Sequence, residues 1–170
     1  MDSNTIYSID DWVVHSYYGV GQINRIEVKP INEEETKCFK VKTSDSTYWF
    51  SATDTDNPRI RPVASQDILA KVFKNLRSKA NVVDPDRTLW KSKIEEVQAG
   101  GDLLSISILI RDLSTQQMLR DLNQTEKNAL EHFKERLLRE WASIVDEDVE
   151  TLRSTLNGYI LESQAKTKVD

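Results

Sequence analysis

Apolar and polar residues alternate in short runs between residues 11 and 63, and the runs are broken by turn signals. "DWVVHS", "GVGQINRIEVK", "KCFKVKT" and "TYWFSA" carry the period of two that marks half-buried strands, with "YYGVG", "NEEET" and "SDS" between them. The alternation predicts about five short antiparallel strands. So small a sheet would leave edges and one face uncovered if flat, so a small closed or nearly closed barrel is expected. Gly19 and Gly21 suit its sharp bend, and Pro58 and Pro62 bracket the closing "RIR".

Beyond Ser65 the period lengthens to that of helices. In "SQDILAKVFKNLRS" Ser65 can cap, and Ile68, Leu69, Val72, Phe73 and Leu76 form one stripe. "SKANVVDPD" reads as a loop whose Asp84 and Asp86 can each cap the next helix. That second helix is expected from Arg87 to Ala99, stopped by Gly100 and Gly101. Asp102 caps a third, "LLSISILIRDL". Its apolar residues nearly encircle it, as in the buried centre of a bundle. Asn123 and Glu126 have capping-box spacing before a long helix with Leu130, Phe133, Leu137, Trp141 and Ile144 on one face, which puts Trp141 in the core. A last helix starts in "DEDVE", and the tail "QAKTKVD" is expected to fray. The fold class is therefore α+β: a β domain over residues 1–65 and an all-α domain over residues 66–170.

Composition narrows the function. With 38% hydrophobic and 30% charged residues the chain is an ordinary soluble one, without an apolar run able to span a bilayer. The N-terminus lacks a basic start followed by an apolar stretch, so a cytoplasmic protein, taken to be a monomer, is expected. Cys38, in an alternating run, reads as a buried thiol. His15 and His132 have no ligand-spaced neighbours, "GVG" lacks the rest of a dinucleotide fingerprint, and no strained nucleophile turn is marked. Neither metal, cofactor nor catalysis is expected.

The net charge of −5 is unevenly spread. Between Lys71 and Lys93 stand seven basic residues, Lys71, Lys74, Arg77, Lys79, Arg87, Lys91 and Lys93, against Asp84 and Asp86. Such a stripe can steer a phosphate backbone to one face, or can be the solvated side of two helices. Trp90 lies within it, in the first turn of the second helix. With Ile94 and Val97 it has the spacing of a core stripe, while its cationic neighbours suit an exposed recognition ring. The residues alone leave both readings open.

Several segments together resemble the CarD and CdnL family of bacterial transcription regulators, whose first domain is similar to the polymerase-interacting domain of the transcription-repair coupling factor. "DDWVVHSYYGVG" (10–21) is similar to the pattern G-D-x-V-V-Y-P-x-H-G-V-G through Val13, Val14, Gly19, Val20 and Gly21. "RIRPVAS", "IEEVQAGGD", "LIRDL" and "LNQTEKNAL" come after it in the family's order. The resemblance implies an SH3/Tudor-like barrel that binds the RNA polymerase β subunit. It also implies a helical domain that touches promoter DNA without reading its sequence, a tryptophan being wedged at the edge of the melted region. On it Trp90, with Arg87, Lys91, Lys93 and Lys79, is expected at DNA, and Lys29, Tyr48, Trp49 and Phe50 at the polymerase. Here His15, Ser16 and Tyr18 replace the pattern's Tyr-Pro and His, and Phe50 stands where many members carry arginine. The other reading is a protein adaptor that pairs an edge strand with its partner and touches no DNA.

Overall fold

The computed structural model describes residues 6–53, 57–81 and 87–168, the side chains of Arg87, Thr88 and Lys168 excepted. Two compact units divide the chain between Val63 and Ala64.

The first unit is an antiparallel sheet of β1 (Trp12–His15), β2 (Gly19–Ile31), β3 (Glu34–Lys42), β4 (Thr47–Ser51) and β5 (Ile60–Pro62), in the order β4-β3-β2-β1-β5. Hydrogen bonding thus leaves β4 and β5 as edges, where the sequence suggested a closed or nearly closed barrel. Both edges nevertheless feed one core. Val13, Ile23, Phe39, Val41, Tyr48, Phe50 and Ile60, drawn from all five strands, form a single cluster, so the sheet curls around it.

Strand β2 governs the layout. Its first residues, Gly19 to Gln22, pair with β1, and from Gln22 to Ile31 it pairs with β3. The register slips between Ile23 and Arg25, so Asn24 is the extra residue of a bulge. A one-residue slip reverses which side chains face which way. Ile23 and Ile26 therefore share the face of their partners Val41 and Phe39, and Arg25, Glu27 and Lys29 are turned to the other face. The β2–β3 connection is tighter than "NEEET" suggested. Glu34 to Thr36 belong to β3, leaving Asn32 and Glu33, at φ 51° and 68°, as a two-residue turn.

The two glycines of the bend serve different needs. Gly19 closes the β1–β2 turn at φ 80°, in the left-handed region. Gly21 permits close approach: a Cβ there would lie 2.7 Å from Val41 Cγ1 and 3.0 Å from the Lys42 carbonyl oxygen.

The second unit comprises α1 (Gln66–Arg77), α2 (Arg87–Gly100), α3 (Leu103–Leu119), α4 (Gln124–Val145) and α5 (Val149–Lys168). Helix α3 packs against the other four, as its nearly all-round apolar surface requires. Ser65 accepts from the Ile68 N–H, Asp102 from the Ser105 N–H, and Asn123 with Glu126 completes a capping box. Trp141 is buried.

Within the described residues the expected fraying from Gln164 is not seen, α5 running to Lys168, because it is tied to α3 and to the end of α1 and the chain after it. Gln164 donates to the Ser114 carbonyl at 3.0 Å, Lys166 to the Arg77 carbonyl at 2.8 Å, and the Ala80 N–H to Thr167 Oγ1 at 3.2 Å. The same region holds a buried ion pair. Arg111 and Asp112 of "LIRDL" lie 2.8 Å apart, Arg111 also donating to Ser78 Oγ and Asp112 accepting from the Asn81 N–H. They fix the chain leaving α1.

Candidate interaction surfaces

Strand alternation separates the three aromatic residues of "YWF". Tyr48 and Phe50 point into the core and are 6% and 7% exposed, whereas Trp49 faces outward and is 40% exposed. Tyr48 and Phe50 are therefore not surface residues, which corrects their expected place in a docking patch. Burial also raises the Tyr48 phenol pKa well above its usual value. Trp49 and Lys29 remain.

Around Trp49 the outer face of β2, β3 and β4 forms a connected cluster. The indole Nε1 donates to Glu27 Oε2 at 2.9 Å, which requires the ring to cross β3, since Trp49 is on β4 and Glu27 on β2. Lys29 Nζ stands 4.1 Å from the centre of the ring. The Glu27 carboxylate also accepts from Arg25 Nε at 2.6 Å and lies 3.8 Å from Lys40 Nζ and 3.9 Å from Lys29 Nζ. The Trp49 and Arg25 hydrogen bonds favour its charged form and hold its pKa below the ordinary carboxylate value. Sequence reasoning missed Arg25, Glu27 and Lys40. The bulge at Asn24 brings the first two onto the face of Trp49, and no glycine or proline announces it.

Cys38 of β3 pairs directly with Glu27 of β2 and so belongs to this outer face, yet it is 1% exposed. Burial raises its thiol pKa.

Trp90 is 1% exposed and belongs to the core cluster of the helical unit with Ile94, Leu103 and Leu113. This corrects the expected recognition ring: the i, i+4, i+7 stripe governs, and the indole is packing. Among the described residues its Nε1 has no hydrogen-bond partner. Of its cationic neighbours, Lys93 lies over the ring with Nζ 5.1 Å from the centre, Lys91 is exposed, and the Arg87 side chain lies outside the described residues, as do Asp84 and Asp86.

The rest of the basic stripe is only partly available to a ligand. Lys71, Lys74 and Lys79 are exposed on or after α1. Arg77 is engaged within the unit, 2.8 Å from Glu162 and over the Tyr159 ring.

Among the described residues, no group of three or more His, Cys, Asp or Glu could hold a metal ion, and no helix is long and apolar enough to cross a membrane.

The chain is similar to a known domain family and to a bacterial relative. Residues 7–64 match the CarD-like/TRCF RID domain family. A protein of Bacillus subtilis (strain 168) named "Putative transcription factor YdeB" is 29% identical over 147 residues, an alignment covering 79% of this chain and 90% of that one.

Proposed function

Since the chain is CarD-like, with residues 7–64 a CarD-like/TRCF RID domain, we propose that it is a non-enzymatic transcription factor that works by binding RNA polymerase. The β subunit is the partner of the first unit, whose curled five-stranded sheet we read as an open, SH3/Tudor-like barrel. Docking uses the outer face of β2, β3 and β4, with Trp49 and Lys29 at its centre. The observation that carries this is the exposed indole of Trp49, fixed at its N–H by Glu27 and covered by the Lys29 ammonium. Exposed aromatic rings held in one orientation are what partner surfaces use as anchors.

The helical unit contributes contacts to promoter DNA through Lys79, Lys91, Lys93 and Arg87, held in place by the polymerase tether. Trp90 takes no part as a wedge, because an enclosed ring cannot enter a base step. Few phosphates are neutralised by this set, so affinity for free duplex is weak and falls further with salt.

The burial of Trp90 also favours the second reading, an adaptor whose sheet binds a protein partner and whose helical unit touches no DNA. One experiment separates the readings. The full chain is run on a sizing column with RNA polymerase core, with and without a promoter fragment. Co-migration with core, and stabilisation of the promoter complex that Lys91→Ala with Lys79→Ala weakens, supports the first. Co-migration without any effect on promoter binding supports the adaptor. No co-migration at all refutes polymerase binding.

A further inference from the structure

We propose that Glu27 is the positioning residue of the docking face, and that the protein surface it serves is acidic around an apolar socket for the Trp49 ring. The inference rests on the polymerase reading given above and names the chemistry of the partner's side.

A tryptophan on the flat outer face of a sheet has two side-chain torsions to lose on binding. Here both are restrained beforehand. The edge of the indole is held by the 2.9 Å bond to Glu27, and its face lies under Lys29 Nζ at 4.1 Å. Ordering done in advance is not charged against affinity, so an anchor held this way binds more tightly than the same ring left loose. The remaining surface of the ring, 40% of the residue, is what a partner can cover.

The charges define the socket's rim. Arg25, Lys29 and Lys40 all lie within 4 Å of the one Glu27 carboxylate, so the cluster carries three positive charges against one negative. On a chain of net charge −5 this face has the opposite sign to the whole. It is steered toward acidic surfaces, and the rest of the molecule is repelled from them. A phosphodiester backbone would also be attracted by the cations. It would, however, meet a carboxylate at their centre, and the indole N–H that could donate to phosphate is already engaged by that carboxylate. An acidic polypeptide with an apolar recess fits both features.

Glu27 therefore has two opposed effects, and Glu27→Leu, which keeps the bulk but has neither charge nor acceptor for the indole N–H, separates them. By charge alone, removing a negative group from a face that docks on acids tightens binding. By positioning, losing the carboxylate frees the indole and releases Arg25, Lys29 and Lys40 from their common centre, which weakens binding. We expect weakening of about tenfold in the affinity of the full chain for the purified RNA polymerase β subunit. Trp49→Phe keeps an aromatic ring and loses only the N–H donor side, and should weaken binding to a similar degree. The double variant should be no weaker than either single one, because both break the same bond. Thermal unfolding should be nearly unchanged in all three, and the Trp49 indole N–H resonance should shift in Glu27→Leu without any partner present.

Wild-type binding with Glu27→Leu equal or tighter overturns the positioning role and leaves the polymerase reading intact. So does full additivity of the two single effects. No binding of the wild-type chain to the β subunit overturns the polymerase reading itself, and the inference with it. Binding of duplex DNA to this face, lost in Lys29→Glu and indifferent to Trp49, overturns the acidic polypeptide as its occupant.

Discussion

The indole N–H of Trp49 reaches the carboxylate of Glu27 at 2.9 Å across an intervening strand, and the β3 residue paired with Glu27 is Cys38, 1% exposed on what its register makes an outer face. Side chains of the neighbouring strands must cover that thiol, and the indole is the largest that crosses. Trp49→Ala should therefore open Cys38 to a thiol reagent such as a disulfide dye, raising its labelling rate by about tenfold or more in the folded protein. An unchanged labelling rate would mean that the indole does not shield the strand it crosses.

Trp90 is the largest fully buried side chain of the molecule's described residues. Its truncation to Ala should cost about 3–5 kcal/mol, the range for a large aromatic removed from a core, measured by denaturant unfolding of the full chain. Trp90→Phe should cost clearly less, since most of the volume remains and the lost Nε1 has no partner among the described residues to abandon. A loss below about 0.5 kcal/mol in Trp90→Ala would place the ring at the surface after all.

Most of the fold was legible, for reasons that explain the exceptions. Alternation marked β1 to β4, the prolines around "RIR" marked the closing segment that is β5, and capping residues such as Ser65, Asp102 and Asn123 marked helix starts, because those signals are local. Three features were missed. The extra residue Asn24 reverses the faces of β2, and its one trace in the sequence is the change of parity between Ile23 and the pair Ile26 and Val28, without which Glu27 is not assigned to the side of Trp49. The end of α5 is held by Ser114, Arg77 and Ala80, far off along the chain, which a polar tail does not reveal. For "YWF" the signal was present but overridden: reading three aromatics as one patch ignored the period of two that sends Tyr48 and Phe50 inward. Trp90 is the same lesson in a helix, where stripe spacing outranks the charge of adjacent residues.

The two bend glycines should respond differently to substitution. Gly21→Ala should destabilise by about 1–3 kcal/mol through the clash with Val41, an overpacking cost. Gly19, at φ 80°, should tolerate Asn better than Ala, because asparagine accepts the left-handed region. Thermal unfolding of the three variants checks both, and a benign Gly21→Ala would show that β3 can shift away from β2.

Acid should release Trp49 only well below neutrality. Folding lowers the Glu27 pKa, chiefly through the Trp49 and Arg25 hydrogen bonds, so the clamp is fully formed above the ordinary carboxylate pKa and is lost as pH falls through the lowered value. The Trp49 indole N–H signal, followed by NMR on the full chain, should stay constant from pH 7 to about 5 and move only in stronger acid. In Glu27→Gln that acid step should vanish. A transition at or above the ordinary value would mean that the carboxylate is not stabilised by these partners.

The central claim is that the Trp49 face meets the β subunit of RNA polymerase. A photo-crosslinking amino acid placed at position 49 of the full chain, irradiated in a mixture with polymerase holoenzyme and mapped by mass spectrometry, tests it most directly. The expected product joins position 49 to the β subunit, beside acidic residues, and is suppressed by excess wild-type chain. Crosslinks confined to another polymerase subunit, or none under conditions where the two proteins co-migrate, would contradict it.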